Sequence, residues 1–267
     1  MGEKKFLAKL RALPEGRRML AYLALCLVAT LLVTGAVAME QQGAVSMGSD
    51  IKVLVGLAAL LLAGREARIS LRHGKSLPWM LLLALVAPLI YLVFRLGPAS
   101  LQPTGEAVAM QCLSILTTAY WEESLFRLWG RLLFEEEEGY KARNFLLLAV
   151  IFGSMHLVNL LNSDPQTVLL QVVFAILTGL FLQTLYTWTG SLALVVTTHI
   201  CINASQLLPT LWVPAAERYL ARQGGMDLVL TSLFFALSAA LITRRGELIK
   251  RGRPFLNLGK KKRGNML

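Results

Sequence analysis

The chain has 267 residues, of which 55% are apolar and only 16% charged, and its mean hydropathy is +0.58. A soluble domain carries about 25% charged residues and a disordered chain needs low hydrophobicity, so composition excludes both. With 21 Gly and three Cys it also excludes collagen-like and disulfide-scaffold chains.

A polytopic membrane protein remains. Apolar stretches of bilayer length fall at about 19–39, 44–63, 77–94, 107–127, 144–161, 166–188, 191–208 and 226–243. The second is the weakest, because Lys52 has to snorkel out of it. No run alternates with period two, which argues against a β-barrel. The expected fold class is therefore all-α, a membrane helical bundle of about eight transmembrane helices. Three regions are expected: a basic cytoplasmic arm (1–18), an eight-span membrane domain (19–243) and a basic cytoplasmic tail (244–267).

Charge sets the orientation. Of the 27 basic residues, six lie in the N-terminal arm, four in the 64–76 loop, four between Arg127 and Arg143 and nine in the tail after 243. Only Lys52, Arg95, Arg218 and Arg222 fall on the other side. The positive-inside rule then places both termini in the cytoplasm, which an even number of spans permits. The net charge of +11 is thus a topology signal with some attraction to anionic lipid, and nucleic acid is not expected as a partner. The bilayer is, with the protein sitting in the cell inner (cytoplasmic) membrane. Ala36-Val37-Ala38 after the first apolar run resembles a signal-peptide cleavage site. That run exceeds the usual length, and cleavage would break the even-span topology, so retention is expected. The Glu135–Glu138 run reads as a solvated loop. Cys26, Cys112 and Cys201 show no paired spacing and read as packing residues.

Ionisable residues inside spans are costly and mark function by default. They are Glu122, Glu123 and Arg127 in the fourth span, His156 in the fifth and His199 in the seventh, with Asn159 and Asn203 nearby. Glu123 and Arg127 are spaced i,i+4 in the favoured order for an ion pair. That leaves Glu122, rotated about 100° round the helix, free for another task. His199 and Asn203 share one face, as do Phe152 and His156, which gives the second imidazole an aromatic wall. At about 1.5 Å per residue, Glu122, His156 and His199 all lie some 12–18 Å below the cytoplasmic face. Interhelical hydrogen bonding is the simpler use of any one of them, but convergence of the set on one level favours chemistry.

Two imidazoles and a free carboxylate suit activation of water. Glu122 can take the proton with His156 sharing or orienting it, and His199 with Asn203 can donate to the oxyanion formed at a carbonyl. No serine or cysteine stands in a nucleophile-elbow or triad context. A divalent metal such as zinc, held by Glu122, His156 and His199, stays open beside a metal-free mechanism, although no H-E-x-x-H is present.

Glu122-Glu123-Ser124-Leu125-Phe126-Arg127 resembles the EExxxR motif of the CAAX protease and bacteriocin-processing (CPBP, or Abi) family. Phe152 to His156 resembles its FxxxH motif and His199 to Asn203 its HxxxN motif. The family includes the Ras-converting CAAX endopeptidase, and the resemblance covers about 105–208. It implies an eight-helix intramembrane endopeptidase acting on a membrane-associated protein or peptide, with a cavity reached from the cytoplasm. Catalytic roles fall to Glu122, His156, His199 and Asn203, with Glu123 and Arg127 as a structural pair and no cofactor required. Many members follow the Arg with Gly, whereas here Leu128-Trp129 intervene before Gly130. Two other readings stand beside this one. One is a non-catalytic bacteriocin-immunity or scaffold protein. The other is a proton-coupled transporter, which no inverted repeat or broken helix pair supports.

Overall fold

The computed structural model describes residues 2–41, 48–64, 67, 100–136, 139–140, 142–161 and 163–213. Helix α1 (Gly2–Arg11) precedes α2 (Glu15–Gln41), and α3 (Gly48–Ala63) returns beside it. Helix α4 (Gly105–Glu122) runs without a break into a π-helical segment (Glu123–Trp129) and then α5 (Gly130–Phe134). A minimal antiparallel pairing of β1 (Glu135–Glu136) with β2 (Gly139–Tyr140) leads to α6 (Ala142–Ser154), whose last turns tighten to 3-10 form over Met155–Leu161. Helices α7 (Pro165–Thr189), α8 (Leu192–Leu207) and the short α9 (Pro209–Trp212) follow.

Local chemistry sets the helix ends. The Thr104 side chain accepts from Ala107 N at the start of α4, and Asp164 from Thr167 N at the start of α7, where Pro165 occupies the first turn. Ser191 does the same for α8 through Leu194 N at 3.2 Å. Helix α7 stops at Gly190, whose φ of 67° is the left-handed conformation that a Cβ disfavours. The Asp164 cap bonds hold its carboxyl below the usual carboxylate range.

The bundle has two distinguishable ends. At one, Arg143 pairs with Glu15 at 2.7 Å, Arg18 donates to Leu133 O at 2.9 Å, and Arg11 donates to Leu132 O. Helix α1 lies across this end, with Phe6 tilted against Trp129 at 6.1 Å. At the other, Gly48 N donates to Glu40 across the α2–α3 connection, and Ser100 N and Leu101 N donate to Trp212 O. Helices α3 and α4 run parallel, as the contacts of Lys52 with Ser114 and of Trp129 Nε1 with Ala59 O require. One buried cluster joins α2, the π segment and α6 through Tyr22, Trp129, Leu148 and Phe152. A second joins α5, α7 and α8 through Leu132, Leu182, Tyr186 and Val195.

The expected spans at 19–39, 44–63, 107–127, 144–161, 166–188 and 191–208 coincide with described helices, whereas 77–94 and 226–243 lie outside the described residues. Among the described residues four helical stretches are long and apolar enough to cross a membrane: Glu15–Glu40, Arg143–Leu161, Pro165–Thr187 and Leu192–Trp212. Ala36-Val37-Ala38 lies within α2. Two expectations need correction. Glu135 is no solvated loop residue: Arg131 holds it at 2.5 Å, with its side chain 8% exposed. Lys52 does not snorkel outward either. It is buried, and Nζ donates to Ser114 Oγ at 3.1 Å because α3 packs that face against α4.

Candidate active site

The π segment begins at Glu123 and ends at Trp129, so the EExxxR stretch is wound more widely than an ordinary helix. Such winding weakens the regular backbone ladder and recurs at functional sites. Here Tyr22 OH, from α2, donates to Phe126 O at 3.1 Å and compensates part of that loss. Glu123 still meets Arg127: Nε lies 3.0 Å from Oε2, and both side chains are fully buried.

The second carboxylate oxygen of Glu123 accepts from His199. Nδ1 lies 2.7 Å from Oε1, and since a carboxylate only accepts, Nδ1 carries the proton. This contact turns Nε2 toward Glu122, whose Oε2 lies 3.7 Å away. One imidazole on α8 thus spans the two adjacent carboxylates at the α4–π junction. His156 stands at the start of the 3-10 stretch, with Nδ1 3.3 Å from Phe152 O. Donation there leaves Nε2 as the basic nitrogen.

Phe152 is more central than a wall. Its ring takes the Arg127 guanidinium at 4.3 Å, meets His156 edge-on at 5.4 Å and His199 at 6.2 Å. A cation over an aromatic face recovers part of what burial of the guanidinium costs. Its position depends on two glycines. A Cβ on Gly179 would lie 2.9 Å from Phe152 Cδ1, and one on Gly153 would lie 2.8 Å from Ile176 N and 3.0 Å from Val172 O.

Glu122, Phe152, His156 and Asn203 line a single cavity of about 280 Å³. His199, Glu123 and Arg127 stand behind that lining. Further polar side chains contribute, and of these Asn159 was already legible as a polar neighbour of the histidines. Lys52 from α3, Asn159, Gln171 and Gln206 also line it, and Asn159 Nδ2 donates to Gln171 Oε1 at 2.8 Å. Lys52 carried a usable signal, since a charge inside an apolar span is a candidate for function on the same ground as Glu122. Gln171 and Gln206 gave none, because a lone amide in a span most often serves helix packing. The lining also places the cavity along the bundle. Its lining comes from the later turns of α2 and α8 and the early turns of α3 and α7, which is the end of the bundle opposite the basic arm.

The side chains named for a metal do not form a ligand group. Among the described residues no three His, Cys, Asp or Glu side chains are placed to hold a metal ion, and Glu123 occupies Nδ1 of His199.

Residues 104–205 match the family model described as type II CAAX prenyl endopeptidase Rce1-like. No curated protein and no solved structure matches the chain. The matched stretch holds Glu122, Glu123, Arg127, Phe152, His156, His199 and Asn203 together. It is a protease family of membrane-associated substrates, and the apolar helices make the chain an integral membrane protein. This integral membrane protein therefore carries an Rce1-like domain, of the CAAX prenyl endopeptidase (CPBP) family, at residues 104–205.

Proposed function

We propose that the chain is an intramembrane endopeptidase that hydrolyses a peptide bond near the terminus of a membrane-associated protein or peptide, by a glutamate-type mechanism. The observation that carries this reading is the meeting of Glu122, His156 and Asn203, from three helices, on one cavity. Glu122 takes a proton from a water that His156 Nε2 orients, and the hydroxyl oxygen adds to the scissile carbonyl carbon. The oxyanion accepts from Asn203 Nδ2 and, from behind it, from Nε2–H of a doubly protonated His199 whose Nδ1–H is held by Glu123. Collapse then breaks the C–N bond, and the proton on Glu122 passes to the leaving nitrogen. Glu123 and Arg127 do not touch the reacting atoms. They hold His199, and through it the position of Glu122.

The same reading includes eight spans, both termini in the cytoplasm and residence in the cell inner membrane, supported by the basic excess on one side. The test compares protein termini in membranes carrying wild type or Glu122→Gln. A membrane protein that keeps its uncut terminus only in the variant is expected. Identical termini in the two membranes would refute peptidase activity through Glu122.

A further inference from the structure

The two ends of the bundle differ in charge and in access. Near the Arg143–Glu15 pair the described chain carries Lys9, Arg11, Arg17, Arg18, Arg131 and Arg143. Near the α2–α3 connection and the starts of α4 and α7, the only Lys or Arg among the described residues is Lys52. Lysine and arginine placement, rather than net charge, sets orientation, so the first end faces the cytoplasm. That end is also covered. Helix α1 lies across it, Phe6 packs on Trp129, and the Arg11 and Arg18 guanidinium groups bind the last carbonyls of α5.

The cavity is displaced toward the other end. Asn203, Gln206 and Leu207 lie about 17–23 Å along α8 from its first residue, and Thr30 to Thr34 about 22–28 Å along α2. Its burial is graded in the same direction. Glu122, Phe126 and Phe152 are buried and form the floor, Asn159, Asn203 and Gln206 are half-buried, and Gln171 and Leu207 are exposed. The route outward is polar, with Asn159, Gln171 and Gln206 supplying donors and acceptors suited to an extended peptide backbone.

We infer that the cavity admits its substrate from the face of the membrane opposite the basic arm, so that the polypeptide segment it takes is exposed on the extracytoplasmic side. The peptide nature of that substrate rests on the peptidase reading above; the side of access rests on cavity position and charge placement. A membrane-anchored protein whose scissile segment has been carried across the bilayer is then the class of substrate, and a segment left in the cytoplasm is not.

Cysteine accessibility tests this without needing a substrate. In full-length protein with Cys26, Cys112 and Cys201 replaced by alanine, Gln171→Cys marks the mouth and Arg143→Cys the basic end. Intact spheroplasts are treated with a membrane-impermeant maleimide, then compared with permeabilised ones. Gln171→Cys is expected to label in intact spheroplasts as fully as after permeabilisation, with Arg143→Cys labelling only after it. The reverse pattern, or a Gln171→Cys that needs permeabilisation, overturns the inference. Labelling reads access alone, so a failed Glu122→Gln comparison with the expected labelling would remove the peptidase reading and leave the access route standing.

Discussion

Glu123 is bound from two sides, by Arg127 at 3.0 Å and by His199 Nδ1 at 2.7 Å, with no exposure to solvent. Removing one partner of a buried ion pair leaves an uncompensated charge and costs about 3–5 kcal/mol. Arg127→Met is therefore expected to lower the thermal unfolding temperature sharply. Glu123→Gln/Arg127→Met, which removes both charges, should recover part of that loss. Thermal unfolding in one detergent checks both; a double variant no more stable than Arg127→Met would show that charge burial is not the cause. The pair was legible in the sequence because i,i+4 spacing survives even in the wider π winding. The engagement of His199 by Glu123 was not legible, since it joins residues 76 positions apart across two helices. Sequence spacing aligned His199 with Asn203, whereas packing leaves Asn203 on the cavity wall and His199 behind it.

Helices α6 and α7 approach closely because Gly153 has no side chain. Gly153→Ala would bring a Cβ within 3.0 Å of backbone atoms of α7, which cannot yield as a flexible side chain can. A cost of about 1–3 kcal/mol is expected from overpacking, and because Phe152 and His156 flank this contact, activity should fall with it. Unfolding temperature and cleavage rate measured on one preparation would check both effects; unchanged values would mean that the helices can separate freely. At the start of α7, Asp164 gives a pH-dependent term. Its folded carboxyl lies below the usual range, so the cap contribution is fully present above about pH 4, the unfolded value. It is lost as pH falls through the lower folded value. Asp164→Ala should therefore unfold at lower temperature than wild type at pH 7, and the difference should close in stronger acid. A gap unchanged by acid would exclude the cap as its source. Gly130, displaced from the usual family position, sits where a Cβ would lie 3.2 Å from Leu148. Close helix approach is thus kept at 130, while Leu128 fills the second buried cluster.

At the scale of the whole molecule, hydropathy located the described helices because burial in lipid demands long apolar runs. The same signal could not show the π segment or the 3-10 turn, which change winding without changing composition. Nor could it show Lys52 turned inward, because residue type alone does not say which helix face meets a neighbour. The common depth expected for Glu122, His156 and His199 goes with Glu122 and His156 on one cavity and His199 Nε2 3.7 Å from Glu122, but depth counted from one face does not say which end of the bundle the cavity lies nearer. Packing of α1 over the basic end and the lining turns of α2, α7 and α8 carry that information.

The central claim is that Glu122 performs peptide hydrolysis in this cavity. Its most direct measurement is cleavage of a substrate identified from the terminal comparison, by purified wild type and Glu122→Gln in the same liposomes. Wild type is expected to release the terminal fragment and the variant to release none while unfolding at an unchanged temperature. Cleavage by Glu122→Gln at the wild-type rate would contradict the account.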